Sequence, residues 1–548
     1  MSERITVGEA VAAFLERCGV TTAFGVISIH NLPILDAFAR RNSIRFVPSR
    51  GEAGAVNMAD AYARVGGQLG VAITSTGTGA GNAAGAMVEA QTAGTPLLHL
   101  TGQIELPYLD RQWAYIHEAV DQLSMLSAVS KRAYRVWSPE TALGTLKEAV
   151  RTAFTAPSGP VSVEIPIDVQ EAMIDRPPDL DPLPVPVAAP AAASLVRLAA
   201  ALRGAKRPLL WVGGGARHAG AAVRRLVELG FGVVTSTQGR GIVPEDHPLS
   251  LGAYTVSPDV EKLYATCDAM LVVGSRLRGN ETLKYTLKLP RPLYRIDANP
   301  EGQGRSYATD LFVVGDSAPA LDGLADRLAG KLRVDPRFAG DIRAAREAAE
   351  AALKQGLKPY DTVVDALQTA APRDFIWVRD VTVSNSTWGN RYLRLAGPRN
   401  GVHALGGGIG MGAPMAIGAA LAAGGRRTVA LAGDGGLQLN LGELATAVQE
   451  RADIVLLVMN DRGYGVIRNI QDARFGGRKH YVDLHTPNFA ELCKSLGLRY
   501  LRLDDTARAA DVLRAAFDQP GPVLVEIDMT AIGPYASRFA GPPVRAKV

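Results

Sequence analysis

Cysteine is scarce. Cys18, Cys267 and Cys493 are the only three in 548 residues, and their wide separation excludes a disulfide framework or a cysteine metal site. The opening MSERITVGEA lacks the charged-then-apolar pattern of a secretory signal, so a reducing cytoplasm is the expected compartment. No window approaches the roughly 20 uninterrupted apolar residues that span a bilayer, which predicts a soluble chain without a membrane partner. An excess of one charge is also missing. The 59 basic and 54 acidic residues leave a net charge of +5, dispersed along the chain without a basic run, and nucleic acid is not an expected partner. Histidine is limited to eight residues, so each one near a candidate site carries weight.

What is present is globular: 47% of the residues are apolar, and the length predicts about three domains. A first domain over 1–175 ends where DRPPDLDPLPVPVAAPAAAS, Asp175 to Ser194, reads as an extended linker, because repeated prolines block helix and sheet pairing. A second domain over 195–330 contains PLLWVGGGA, DAMLVVGSR and PLYRIDANP, apolar runs ending in glycine or polar turns as parallel strands do. The alanine-rich, charged stretch from Asp341 to Lys358 predicts a surface helix leading to a third domain over 359–535. LKEAVRTAF before GPVSVEI near residue 160 is echoed by ADVLRAAF before GPVLVEI near residue 522, so the outer domains are expected to be alike. The fold class is α/β, with three doubly wound parallel-sheet domains.

The segment that carries chemistry is RTVALAGDGGLQLNLGELATAVQERADIVLLVMNDRGYG. Thr428 to Ala432 reads as a strand stopping at Gly433-Asp434-Gly435, and Ile454 to Met459 as a strand stopping at Asn460-Asp461. A crossover helix is expected to open at Asn440, with Glu443 at capping-box spacing, and to run to about Arg451. Neighbouring parallel strands end side by side, so Asp434 and Asp461 can face one cation. Two carboxylates beside glycine-rich turns suit Mg²⁺ carrying a phosphate compound.

This pattern resembles the cofactor fingerprint of thiamine diphosphate enzymes, in the group of acetolactate synthase, benzoylformate decarboxylase and benzaldehyde lyase. The resemblance implies thiamine diphosphate and Mg²⁺ as cofactors, with the first domain holding the pyrimidine and the third the diphosphate. It implies Asp434, Asp461 and the Gly463 carbonyl as metal ligands, with Gly435, Gly436 and Tyr464 beside the diphosphate. The family usually has asparagine at the second of these positions; the extra carboxylate of Asp461 is expected to alter cofactor affinity without abolishing the site.

Glu52 stands where a strand passes into the helical AGAVNMADAYAR. A glutamate there is stabilised by the helix dipole alone, by roughly 0.3–1 kcal/mol. By resemblance, though, it is the acid that shares a proton with the pyrimidine ring and so activates the cofactor. In LGGGIGMGAPMAIGAA, Gly408 and Ile409 match the segment where a bulky apolar residue holds the cofactor bent, and Ser384-Asn385 match residues at the diphosphate or reacting centre.

The resemblance also lines the reaction space with Ile29-His30-Asn31, Ser75 and Thr76, His117, and a helix bearing Val466, Ile467 and Ile470. The adjacent histidine pair of pyruvate decarboxylases is absent, as is the histidine that benzoylformate decarboxylases carry at Ser75, although His30 or His117 could compensate as catalytic groups. Acetolactate synthases have glutamine near His117, tryptophan at Ile470 and arginine at Asn280, which makes pyruvate-plus-pyruvate chemistry a poor fit. The expected function is C–C bond making or breaking next to a carbonyl through an enamine, with a carboligase acting on a 2-oxo acid ranked first. A non-oxidative decarboxylase or an acyloin or 2-hydroxyacyl lyase is the alternative, and a flavin-linked oxidase ranks below both. Gly213-Gly214-Gly215 could approach a nucleotide phosphate, and acetolactate synthase has FAD in that domain; FAD is allowed but not favoured. The family's paired domains come from different subunits, so a homodimer or homotetramer is expected.

Overall fold

The computed structural model describes residues 3–541, apart from the side chains of Asn385 and Ser386. Three parallel sheets organise it, as the three strand-rich regions of the sequence predict. The first runs across space as Arg45–Pro48, Thr22–Gly25, Gly70–Thr74, Leu97–Gln103, Pro160–Pro166 and Arg132–Arg135. The third runs as Gly401–His403, Ile376–Arg379, Thr428–Gly433, Ile454–Asn460, Val523–Asp528 and Arg499–Leu503. Numbered by chain order within each sheet, both read 2-1-3-4-6-5. The repeated sequence falls at matching places: helices Ala142–Phe154 and Ala509–Phe517 each lead into the strand lying fifth across its sheet.

The central sheet has five strands in the order 2-1-3-4-5, from Gly232–Thr235 at one edge to Leu311–Val314 at the other. Its strand Ala269–Val273 and the third sheet's Ile454–Asn460 are buried along their whole length. Helices on both faces cause this, and they explain why these strands are continuous apolar runs without polar alternation. Residues 176–191 carry neither helix nor strand, in keeping with their prolines, and the chain just before them pairs Met173–Asp175 antiparallel with Arg4–Thr6. The charged stretch after the central sheet is the helix Phe338–Leu357, which buries Phe338, Ile342, Ala349 and Leu357.

The outer domains share one core. Helix Glu52–Gly66 crosses helix Gly412–Ala422 so closely that a Cβ on Gly418 would lie 2.0 Å from the Met58 carbonyl oxygen. Only glycine fits that crossing, and Met58, Ala59, Met415 and Ile417 close around it. Arg64 reaches across the same boundary, pairing with Asp60 and Glu89 and donating to the His403 carbonyl at 2.8 Å.

The crossover after Thr428–Gly433 departs from expectation. It begins at once as a short helix Asp434–Leu437, continues as the 3-10 turn Gln438–Asn440, and only then forms helix Glu443–Gln449, with Gly442 as its cap residue. Asn440 caps nothing; its amide donates to the Gly410 carbonyl at 2.8 Å. The Glu443 carboxylate keeps one oxygen on Thr446 of its own helix and turns the other to backbone N–H groups of the first domain. Tertiary acceptors and donors outcompete the local capping box.

Candidate active site

Three adjacent strands of the third sheet each end on an aspartate: Ile376–Arg379 on Asp380, Thr428–Gly433 on Asp434 and Ile454–Asn460 on Asp461. Asp434 is buried, and the Asp461 backbone N–H approaches its Oδ1 at 3.4 Å while Thr486 donates to its Oδ2 at 2.9 Å. A Cβ on Gly435 would touch the Tyr464 ring at 2.9 Å and the Gly463 carbonyl oxygen at 3.1 Å, so the two turns are in contact. Gly465 leaves room for the Asp461 carboxylate, whose Oδ2 would lie 1.8 Å from any Cβ there.

Burial raises the proton affinity of both acids, and the neighbouring Asp434 carboxylate pushes Asp461 up further. Arg468, 3.4 Å from Asp461, offsets only part of this, being shared with Asp483. Two adjacent carboxylates beside a carbonyl make a hard-oxygen donor set that fits Mg²⁺, whose charge would relieve their repulsion.

Asp380 was not singled out from sequence. Its buried Oδ2 accepts from Gly410 N–H at 2.9 Å and Gly412 N–H at 3.2 Å, and burial pushes its pKa up to about 6. It thereby fixes the glycine-rich turn in which Gly410, at φ +86, turns the chain back and Ile409 faces Gly436. Gly408 packs on Met411. The other end of this turn is held from the first domain, where Glu89 accepts from Leu405 N–H at 2.8 Å. The result is a glycine cradle against the Asp434–Gly436 turn, suited to a diphosphate. An acid directly after a strand, in IWVRDVTV, was the available signal for Asp380.

The first sheet offers a matching set of strand ends. His30 follows Thr22–Gly25, Glu52 follows Arg45–Pro48, Ser75 follows Gly70–Thr74, and His117 lies in the long segment after Leu97–Gln103. Glu52 is the first residue of its helix and accepts from Asn82 Nδ2 at 3.1 Å. A Cβ on Gly79 would meet Ser75 at 2.9 Å and Glu52 at 3.2 Å, so these three crowd together. Ser75 Oγ is buried without a partner.

The His30 and His117 rings stand edge to face, 5.0 Å apart. His30 is buried with an unpartnered Nδ1, and burial, followed by the proximity of His117, lowers its pKa. The His117 carbonyl oxygen packs against Gly77, 2.4 Å from where a Cβ would be. Val466, Ile467 and Ile470 lie on helix Gly465–Arg474 beside the Asp461 turn.

Other residues singled out from the sequence have different partners. Ser384 is buried with its hydroxyl 2.6 Å from Tyr535 Oη, Asn385 has a side chain outside the described residues, and Thr76 turns inward to Gln103 and Gln122 at 3.0 and 2.9 Å. Glu52 accepts from Asn82, whereas Asp434 is approached by the Asp461 N–H and by Thr486, so the first and third domains each carry one set of candidate residues, a half-site in each. A cavity of about 460 Å³ lies apart from both, where Gly214, Gly215, Arg217, Arg276 and Arg278 of the central domain face Arg64.

Comparison with known proteins places this geometry. The chain matches the thiamine pyrophosphate enzyme N-terminal TPP binding domain over residues 5–125, the central domain over 195–324 and the C-terminal TPP binding domain over 382–527. It is 32% identical to a "Probable 2-ketoarginine decarboxylase" of Pseudomonas aeruginosa, covering 95% of this chain and 94% of that one. It is 27% identical to the acetolactate synthase isozyme 1 large subunit of Escherichia coli, covering 96% and 95% respectively. A probable acetolactate synthase large subunit of Methanocaldococcus jannaschii is also 27% identical, over 95% of this chain and 91% of the relative. The chain belongs to the thiamine diphosphate-dependent decarboxylase and carboligase family, enzymes that act on C–C bonds.

Proposed function

We propose that the chain decarboxylates a small 2-oxo acid with thiamine diphosphate and Mg²⁺, the His30–His117 pair handling the proton that replaces the lost carboxylate. Sequence alone ranks carboligation first, because the usual decarboxylase histidines are missing. The observation that reverses the ranking is the imidazole pair, 5.0 Å apart, on segments that follow strands of the same sheet as Glu52. The 2-oxo acid decarboxylase among the relatives supports the same reading.

Thiamine diphosphate, when bound, supplies a nucleophilic carbon that adds to the carbonyl and takes up the electron pair released as CO₂ leaves. Asp434, Asp461 and the Gly463 carbonyl would hold Mg²⁺, and the Gly408–Gly410 turn with Gly435 and Gly436 would receive the diphosphate. Tyr464 would flank it, and Ile409 would shape the cofactor. Glu52 holds and returns one proton at its carboxylate. Burial lowers the pKa of His30, and His117, the exposed ring of the pair, would hand the proton to the product carbon. Ile467 and Ile470 would exclude water from the substrate's side chain.

A homodimer, or a homotetramer built from it, would bring the first domain of one copy to face the third domain of another. Ile29, Trp113, Ile116 and Val120 are exposed in the segments that carry the histidines, and Leu439, Ile467, Phe475 and Tyr481 in the segments around the aspartates, apolar side chains that a second copy would cover. No helix among the described residues is long and apolar enough to cross a membrane, and the three cysteines are free, in keeping with a cytoplasmic enzyme. FAD has no step in this reading; a flavin absorbance spectrum from the purified protein would restore it.

The test is CO₂ release across aliphatic, aromatic and cationic 2-oxo acids, with product analysis. Free aldehyde formed without an acceptor is expected. A 2-hydroxy-2-acyl product instead overturns this ranking in favour of the carboligase.

A further inference from the structure

Glu443 opens a helix of the third domain, yet its carboxylate serves the first. It is 1% exposed, and its Oε1 accepts from the backbone N–H of Arg50 at 3.0 Å and of Gly51 at 3.1 Å, the two residues directly before Glu52. Its Oε2 accepts from Thr446 Oγ1 at 2.7 Å. The Arg50 side chain returns to the same helix, donating to Gln449 at 2.8 Å. Gly54, one turn into the Glu52 helix, leaves the space: a Cβ there would lie 2.1 Å from Glu443 Oε1.

Helix Glu52–Gly66 has Gly51 at its cap position, so no cap side chain of its own fixes the turn before Glu52, and the Arg50 and Gly51 N–H groups of that turn go to Glu443. The turn that aims Glu52 is therefore set from another domain. We propose that Glu443 is the positioning residue for Glu52, a brace from the third domain that fixes the turn presenting the activating carboxylate.

The brace has a counterpart. Glu89 lies in helix Thr78–Ala93, after the third strand of the first sheet, just as Glu443 lies after the third strand of the third sheet. Glu89 holds the Leu405 end of the glycine cradle while Glu443 holds the Arg50–Gly51 turn, so each half-site is fixed by the opposite domain of its own chain. This rests on the reading that Glu52 activates the cofactor.

The test compares Glu443→Ala, Glu443→Gln and Gly54→Ala with wild type. Backbone amide exchange over 48–54 is followed in the cofactor-free protein, and exchange of the thiamine C2 proton with D₂O in the loaded one. Glu443→Ala should free the Arg50 and Gly51 amides and slow C2 exchange and kcat by about 10–100-fold, the cost of a small misplacement, with cofactor Kd little changed. Glu443→Gln keeps an acceptor oxygen and should stay near wild type. Gly54→Ala should reproduce Glu443→Ala and add nothing in the double variant, since both remove one contact.

Wild-type C2 exchange in Glu443→Ala or Gly54→Ala, with the amides freed, overturns the proposal. So does a Gln variant as slow as Ala, which would make charge the active quantity. If Glu443→Ala does not fold, Gly54→Ala decides. A wild-type protein that fails to exchange C2 refutes the proposed activity instead, and protection of the Arg50 and Gly51 amides then decides the brace alone.

Discussion

The first and third sheets have the same strand order, yet their carboxyl ends carry different chemistry. The third sheet ends three adjacent strands on aspartates, two of which lie against each other and one of which holds a glycine turn. The first sheet ends its strands on one glutamate, an unpartnered serine and two facing histidines. A doubly wound sheet always presents its strand ends to a crevice, whatever stands there. The difference teaches that topology provides the platform while a few residues decide whether it binds or reacts.

Breaking the reactive half should have the largest effect. Glu52→Gln keeps the shape but cannot take and return a proton, so kcat should fall by about 10²–10⁴-fold while calorimetry still detects cofactor binding. Wild-type turnover would refute the division of labour. Breaking the binding half should look different: Asp434→Asn should weaken Mg²⁺-dependent thiamine diphosphate binding by more than the roughly 10–100-fold typical of residues one step removed from a metal. Unchanged titration would remove Asp434 from the metal site.

Both sheets bury a histidine that acid must charge. His99, buried in the first sheet between Thr74 at 2.9 Å and Ser162 at 3.1 Å, has its pKa lowered by burial to about 4. The unfolded chain binds the proton more readily, so this contribution to stability is fully present above about pH 6.5 and is lost as pH falls towards 4. It amounts to at most about 3 kcal/mol. His99→Gln should flatten that limb of a denaturation series. His403, in the third sheet, is also driven to stay neutral and should leave a residual slope.

The shared core is tested by Gly418→Ala, whose Cβ would press on the Met58 carbonyl at 2.0 Å. About 1–3 kcal/mol should be lost in urea titration. The smallest effect is expected for Asp461→Asn: it removes the like-charge repulsion with Asp434 yet keeps an oxygen ligand, so cofactor affinity should shift by less than about tenfold. Complete loss of binding would show that the second carboxylate is indispensable.

Much of this was legible without coordinates, because strands buried on both faces are continuous apolar runs and their ends are marked by glycine and aspartate. Thr428–Gly433 and Ile454–Asn460 stop where the pattern says they stop, and Asp434, Asp461 and Glu52 stand at strand ends as expected. Asp380 escaped because a lone acid after a strand is common and its two glycine N–H partners lie 30 and 32 residues away. Ser384 has a motif but not the free hydroxyl, since Tyr535, 151 positions on, occupies it. Asn440 and Glu443 were read as a local cap because only local partners are visible in a sequence.

By itself, then, the sequence determined what depends on neighbours along the chain: the strand runs, the proline linker, the repeated outer unit and the paired-aspartate fingerprint. Only the tertiary structure decided which buried acceptor meets which backbone donor. Glu443 reaching Arg50 across 393 positions, Glu89 reaching Leu405 across 316 and His30 facing His117 all follow from packing two alike domains on one shared core. Burial makes every unpaired polar group costly, so the fold selects those distant partners over the nearby ones that sequence spacing suggests.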